Sequence, residues 1–230
     1  MCLACSPELS RPSLRGRMDL VEKKLDDPPM NTEMLSEYAT ADYLLVLQPH
    51  EALREEIMQL KNDFGKSYDC APSVTGKPNI SLIRFEQFEM IEQRIVHRLQ
   101  LIATEHASFV VELNDFGSFP AHSIFLNVTT KNPIIDLVKS FRPIQHLLKI
   151  DKDRKPHFIT DPYINIARKL LPWQYEKGWL EMSNTHFTGK FVADHLLLLR
   201  KRDGEKKYET VRKFRLMNEK VITTQGELFA

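Results

Sequence analysis

The stretch DPYINIARKL, residues 161–170, alternates in a period of two: Tyr163 and Asn165 interleave with Ile164 and Ile166. That period belongs to a β-strand, whose successive side chains point to opposite faces. One face of this strand is apolar, and the other carries a phenol and an amide. KPNISLIRF, residues 77–85, has the same form, with Pro78, Asn79, Ile80, Ser81 and Leu82 in order. Each stretch reads proline, polar, isoleucine, polar, aliphatic. The repeat predicts two equivalent strands whose polar sides line a shared groove.

Working outward, each signature strand is preceded by a strand and a helix. YLLVLQP (43–49) reads as a short buried strand, and Leu53, Ile57, Leu60 and Phe64 form one helical stripe before the first signature. A second helix carries Phe88, Ile91, Ile95, Leu99 and Ile102 on one face. SFVVELNDFGSF (108–119) reads as a strand with a turn at Asp115–Gly117. The order then repeats: SIFLNVT (123–129) is a strand, and residues 133–149 are helical with Leu137, Phe141 and Leu148 inward. Pro143 must break or kink that helix. After the second signature, Pro172 opens a helix containing Trp173 and Trp179. FVADHLLLLRKR and KYETVRKFRL form a closing hairpin with a turn near Asp203–Gly204. This duplication predicts an α+β fold of two pseudo-symmetric lobes, with antiparallel sheets around a central cleft and helices outside. Residues 1–38, polar and broken by Pro7, Pro12, Pro28 and Pro29, are expected to form a flexible tail, and residues 39–230 the folded domain.

Composition narrows the function classes. The chain has 230 residues, 42% of them hydrophobic, enough for a sizeable core, and a formal net charge of +1. A near-neutral chain has no global field for nucleic acid or membrane, so any anion site is a local patch. No apolar run reaches membrane-span length, and the N-terminal stretch lacks the apolar core of a signal peptide. A cytoplasmic protein without membrane partners is expected. Of the cysteines Cys2, Cys5 and Cys70, the first two form a CxxC, but no second pair completes a zinc site. No metal or other cofactor is expected.

The two signatures and their context resemble the 2H phosphoesterase superfamily, which includes the RNA 2′,3′-cyclic phosphodiesterases also called 2′-5′ RNA ligases. That family carries two motifs of the form Pro-His-x-Thr/Ser-aliphatic, one per lobe, the second commonly continuing Ile-Ala-Arg. KPNISL is similar to the first and DPYINIARKL to the second, and the resemblance extends over roughly residues 41–217. It implies a groove in which one histidine acts as base, the other as acid, and hydroxyl residues hold phosphate. Here Asn79 and Tyr163 stand where the two histidines belong, Ser81 keeps the first hydroxyl, and Asn165 replaces the second.

The departures bear on chemistry. An asparagine amide does not titrate, and a tyrosine ordinarily holds its proton to about pH 10. Each positioned acid or base contributes roughly 10²–10⁴-fold to a rate, so a chain without both is expected to lack the two-histidine activity and to have no catalytic residue at these positions. Asn79, Ser81, Tyr163 and Asn165 all still donate hydrogen bonds and are the candidate ligand-binding residues. The candidate ligand is a nucleotide, an RNA end or another small phosphate-bearing molecule. A divergent but active cyclic phosphodiesterase and a non-enzymatic scaffold are the alternatives, and Tyr163 and Asn79 serving only as a packed ring and a turn residue is a third. His157 and His122 lack the motif spacing, and strand parity directs Arg84 and Arg168 away from the polar set. The sequence leaves the oligomeric state open.

Overall fold

The computed structural model describes residues 39–219. The expected tail at 1–38, the Cys2–Cys5 pair and residues 220–230 lie outside the described residues.

The chain runs β1 (Thr40–Leu47), α1 (Glu51–Ser67), β2 (Ile80–Phe88), α2 (Glu92–Glu105), β3 (Phe109–Phe119), β4 (Ser123–Val128) and α3 (Lys131–Ser140). It continues through β5 (His157–Phe158), β6 (Tyr163–Arg168), α4 (Pro172–Met182), β7 (Thr188–Ala193), β8 (His195–Arg202) and β9 (Glu209–Arg215). All strand pairings are antiparallel, in the order β7-β3-β4-β6-β2-β1-β8-β9, with the short β5 also on β2. The sheet divides into two four-stranded halves, and β2 and β6 join them through one paired position, Ile80 opposite Ile164. The two signature strands therefore meet at the centre of the molecule, each as the innermost strand of its half.

Helices cover one face. The stripe predicted on α1 is present, with Leu53, Ile57 and Phe64 buried. Pro143 ends the third helix early: α3 stops at Ser140 and a 3-10 turn, Arg142–Ile144, follows, because proline removes the amide that helix continuation needs. Pro172 occupies the first turn of α4, where its missing amide costs nothing. The coverage is exchanged between halves. α1 follows β1 but packs on β6 and β7, while α3 follows β4 but packs on β2. Each half thus lends a helix to the other, and one continuous apolar core results. At the contact of α4 with α1 and β4, a Cβ on Gly178 would lie 2.6 Å from the Phe64 ring; the close approach is why that helix carries glycine there.

Behind the first half, the Tyr43 hydroxyl donates to Glu92 Oε2 at 3.0 Å, and Arg200 bridges Glu92 at 2.8 Å and Glu89 at 3.3 Å. Burial and the neighbouring Glu92 push the Tyr43 phenol well above its usual pKa. This network ties α2 to the sheet with its charges paired, as charges removed from water must be.

Two expectations need correction. Asp115–Gly117 does not reverse the chain: β3 runs through it with a bulge between Leu113 and Phe116, Asp115 taking a left-handed φ of 54°. The reversal comes at Pro120–His122, with Ala121 at φ 68°. FVADHLLLLRKR is likewise two strands: β7 pairs with β3 in the second half, and after Asp194 β8 pairs with β1 in the first.

Candidate functional site on the helix-free face

The two signatures have the same burial pattern. Pro78, Ile80 and Leu82 are buried while Asn79 and Ser81 are half-buried; Pro162, Ile164 and Ile166 are buried while Tyr163 and Asn165 are half-buried. Ile80 and Ile164 are paired directly and both fully buried against the helix layer. Directly paired residues share a face of the sheet, so their neighbours Asn79, Ser81, Tyr163 and Asn165 occupy the opposite, helix-free face on both sides of the bridge. None of these four side chains hydrogen-bonds another described residue. Buried polar groups are normally paired, so half-buried donors without internal partners are open to water or a ligand.

Each signature strand then bulges at the same place. In β2, Ser81 pairs with Val46 and Ile83 with Leu45, leaving Leu82 as the extra residue. In β6, Asn165 pairs with Phe125 and Ala167 with Ile124, leaving Ile166 extra. A bulge inverts the facing of every later residue. Arg84, opposite Leu44, and Arg168, opposite Ser123, therefore lie on the same face as the polar set. This corrects the expectation from simple alternation that they point away. His157 pairs with Arg84 across β5 and shares that face.

The halves of the face differ in chemistry. Around Tyr163 lies an aromatic cluster absent from the sequence reading. The Tyr163 ring stands 4.8 Å from Phe125 and 5.4 Å from Phe119 between centroids, and Phe119 in turn stacks on His122 at 6.1 Å. A Cβ on Gly117 would come within 2.5 Å of both Phe125 and Asn127, so glycine lets these groups fill the surface. Alternation in FGSF and SIFLNV was the available signal. The His122 Nδ1 and the Ser123 hydroxyl lie 2.6 Å apart. Around Ser81 the face is charged instead: Asp42 meets Lys201 at 3.1 Å and Arg84 at 3.7 Å, and Glu86 meets Arg154 at 3.0 Å. Arg168 is exposed and has no ion-pair partner among the described residues.

Two further groups adjoin the site. Lys61 of α1 is buried, donates to the carbonyls of Gly76 at 2.9 Å and Thr75 at 3.5 Å, and thus holds the loop that leads into Asn79. Burial, with Arg168 nearby, lowers its pKa from 10.5 to about 8. Tyr208, in the β8–β9 loop, has its pKa raised by burial and Asp42, while Arg84, Lys201 and Arg168 pull it down.

Three further histidines are engaged elsewhere: His186 faces Asp115 at 3.2 Å, His195 faces Asp194, and His146 faces the Pro143 carbonyl at 3.1 Å. Hollows of about 250 Å³, between α2 and β9, and about 620 Å³, on β3 and β7, also lie away from the four polar residues. No cluster of three or more His, Cys, Asp or Glu among the described residues is arranged to hold a metal. No helix there is long and apolar enough to cross a membrane.

With this geometry in place, comparison with known proteins identifies the fold. The family model of the 2′-5′ RNA ligase superfamily matches residues 49–205. A search of curated proteins finds no match. Among solved structures, Escherichia coli LigT without ligand superposes with a TM-score of 0.54 at 14% identity, covering 77% of this chain and 98% of LigT. LigT complexed with 3′-AMP gives 0.55, also at 14% identity and the same coverage. TT0787 of Thermus thermophilus gives 0.51 at 16% identity, covering 76% of this chain and 98% of its own. At such identities the likeness is one of fold. The family model spans well over half of the chain, and the order of elements agrees with it: the chain belongs to the 2′-5′ RNA ligase superfamily.

Proposed function

We propose that this is a cytoplasmic binding protein of the superfamily that holds a phosphate-bearing ligand, a nucleotide or an RNA end, on the helix-free face without cleaving it by the two-histidine route. The observation that carries this reading is the set Asn79, Ser81, Tyr163 and Asn165: four half-buried donors on one face, none engaged internally, and by the motif resemblance two of them stand where the family has its acid and base. Neutral donors stabilise phosphate oxygens through hydrogen bonds, but an amide cannot take a proton from an attacking hydroxyl. LigT structures complexed with 3′-AMP, phosphate and ATP support a ligand of this class on such a fold.

Thermal unfolding with nucleotides, 2′,3′-cyclic phosphates and sugar phosphates tests the reading. A ligand at a hundredfold excess over its Kd adds about 2.7 kcal/mol, several degrees for a domain of this size. The shift should vanish in Asn79→Ala combined with Ser81→Ala, and cyclic phosphates should survive incubation. Robust hydrolysis that is indifferent to Asn79→Ala and Tyr163→Phe overturns the proposal. It favours the divergent phosphodiesterase, for which His122, hydrogen-bonded to Ser123 and stacked on Phe119 of the aromatic cluster, is the candidate acid or base.

A further inference from the structure

The bulges give the face a property that a site for a strand terminus does not need. Its cations flank the polar set on both sides. Arg84 and Arg168 each stand six residues after a signature proline, on strands that run in opposite directions away from the Ile80–Ile164 bridge. At roughly 3.3 Å per strand residue, their Cα atoms lie about 20 Å apart with the polar set between them. A ligand that ends in the groove requires cations on one side only. Here the Arg168 end adds the exposed Lys77 and Lys169, and the Arg84 end adds Lys201 with Lys206 and Lys207 of the β8–β9 loop. Asp42 is the carboxylate shared by Arg84 and Lys201; Lys77, Arg168, Lys169, Lys206 and Lys207 have no acidic partner among the described residues.

Aromatic surface accompanies the charge at both ends. Phe119, Phe125 and Tyr163 form the cluster near Arg168, and Tyr208 lies with the Lys201 ammonium 5.7 Å from its ring centroid. Against the upward pull of burial and Asp42, Arg84, Lys201 and Arg168 all act to lower the Tyr208 pKa. A basic track interleaved with aromatic rings is the arrangement that holds single-stranded nucleic acid, phosphates on the cations and bases on the rings.

We propose that the face holds an internal stretch of single-stranded polynucleotide, crossing the Ile80–Ile164 bridge from the Arg168 end to the Arg84 end, so that a nucleotide or an RNA end fills only part of the site. This rests on the phosphate-ligand reading above and names its ligand class. Sequence preference is weak, because stacking and phosphate contacts do not read base edges.

Fluorescence anisotropy on the full chain tests it with three probes: a dye-labelled single-stranded RNA decanucleotide blocked at both ends, a nucleoside 3′-phosphate, and inorganic phosphate, the last two as competitors. The blocked decanucleotide should bind at least tenfold tighter than the nucleoside 3′-phosphate. Arg84→Gln and Arg168→Gln should each weaken it severalfold, and each should flatten the dependence of log affinity on log salt by about 0.7, the value for one lost contact on a single strand. Unchanged thermal unfolding confirms that these exposed variants fold. A decanucleotide no tighter than the nucleotide, binding that requires a free end, or arginine variants without effect overturns the proposal and leaves the phosphate reading standing. No anisotropy change with the decanucleotide, together with no shift in thermal unfolding from the nucleoside 3′-phosphate or inorganic phosphate, overturns both.

Discussion

Around Ser81 the helix-free face meets charge, and around Tyr163 it meets aromatic rings. The backbone is the same in both places: a buried proline, an isoleucine in the central pair, and a bulge after the fourth position. What differs is what the neighbouring strands bring. β4 and β3 bring Phe125, Phe119 and Gly117 to Tyr163, whereas β1 and β8 bring Asp42 and Lys201 to the first signature. The duplicated frame places two side chains symmetrically and the surroundings give them different work. Tyr163 is part of a packed cluster as well as a donor; Asn79 has no ring contact or hydrogen bond to lose.

The largest effect expected from this comparison is a gain of chemistry. Asn79→His and Tyr163→His together restore an acid and a base on a frame that still has Ser81, each typically worth about 10²–10⁴-fold. Opening of 2′,3′-cyclic nucleotides should rise in the double variant well above the parent. The single variants should gain less than their share, because the two groups act as a unit. If the single Tyr163→His variant alone reaches the full rate, the two positions are not partners and the symmetry has been misread. Asn165→Thr added to the double should raise the rate further by returning a phosphate-binding hydroxyl.

Next in size is the bridge itself. Ile80 and Ile164 are fully buried and form the paired position that joins the two halves. Ile80→Ala and Ile164→Ala should each cost about 2–5 kcal/mol, the usual range for such a truncation in a core, read by chemical denaturation. Equal costs sharpen the pseudo-symmetry. A cost below about 1 kcal/mol for one of them, under that range, would show that its half closes without the bridge.

Much of this was legible in the sequence, and the limits were physical. Strand, helix and signature strand could be read twice, because period-two and period-3.6 patterns are local properties of the chain. The polar set at Asn79, Ser81, Tyr163 and Asn165 was placed on one face by the same alternation. The facing of Arg84 and Arg168 was not legible: the extra residues Leu82 and Ile166 are aliphatic like their neighbours, and only the partner strands β1 and β4 reveal which residue is left unpaired. Asp194 was missed for a related reason. The run through it is apolar on both sides, and the change of sheet neighbour from β3 to β1 leaves no local mark. The aromatic cluster required knowing that β3, β4 and β6 lie side by side.

Lys61 offers a test of how rigidly the first signature is approached. Its amine is buried, with a pKa lowered from 10.5 to about 8, a penalty on the order of 3 kcal/mol for holding the charge in the fold. The unfolded chain binds more protons than the folded one between pH 8 and 10.5, so this residue makes stability rise with pH across that window and has a constant cost below it. Lys61→Met should be more stable than the parent at pH 7 by about 1–3 kcal/mol, less what the bonds to Gly76 and Thr75 contribute. That advantage should shrink from about pH 8 to about pH 9.5, before tyrosines complicate the curve. A constant difference over the window would mean that Lys61 is charged and fully compensated.

The smallest expected change in stability is also the sharpest discriminator between the two surroundings. Asn79→Ala removes a half-buried amide without a partner, so the unfolding free energy should move by no more than about 0.5 kcal/mol. Tyr163→Phe keeps the ring against Phe125 and Phe119 and deletes a hydroxyl that bonds no described residue; it should be as mild. Tyr163→Ala removes the ring contacts too, and aromatic pairs alone contribute about 0.5–1.5 kcal/mol beyond buried area, so its loss should clearly exceed that of Asn79→Ala. Ligand affinity should follow a different order, with Asn79→Ala and Tyr163→Phe each losing one hydrogen bond to phosphate, about 0.5–1.5 kcal/mol apiece. Measuring both quantities on the three variants separates ring from hydroxyl. If Tyr163→Phe leaves binding of a nucleoside 3′-phosphate unchanged while Tyr163→Ala abolishes it, the second signature offers its ligand a surface to stack on, and the donor set is reduced to Asn79, Ser81 and Asn165.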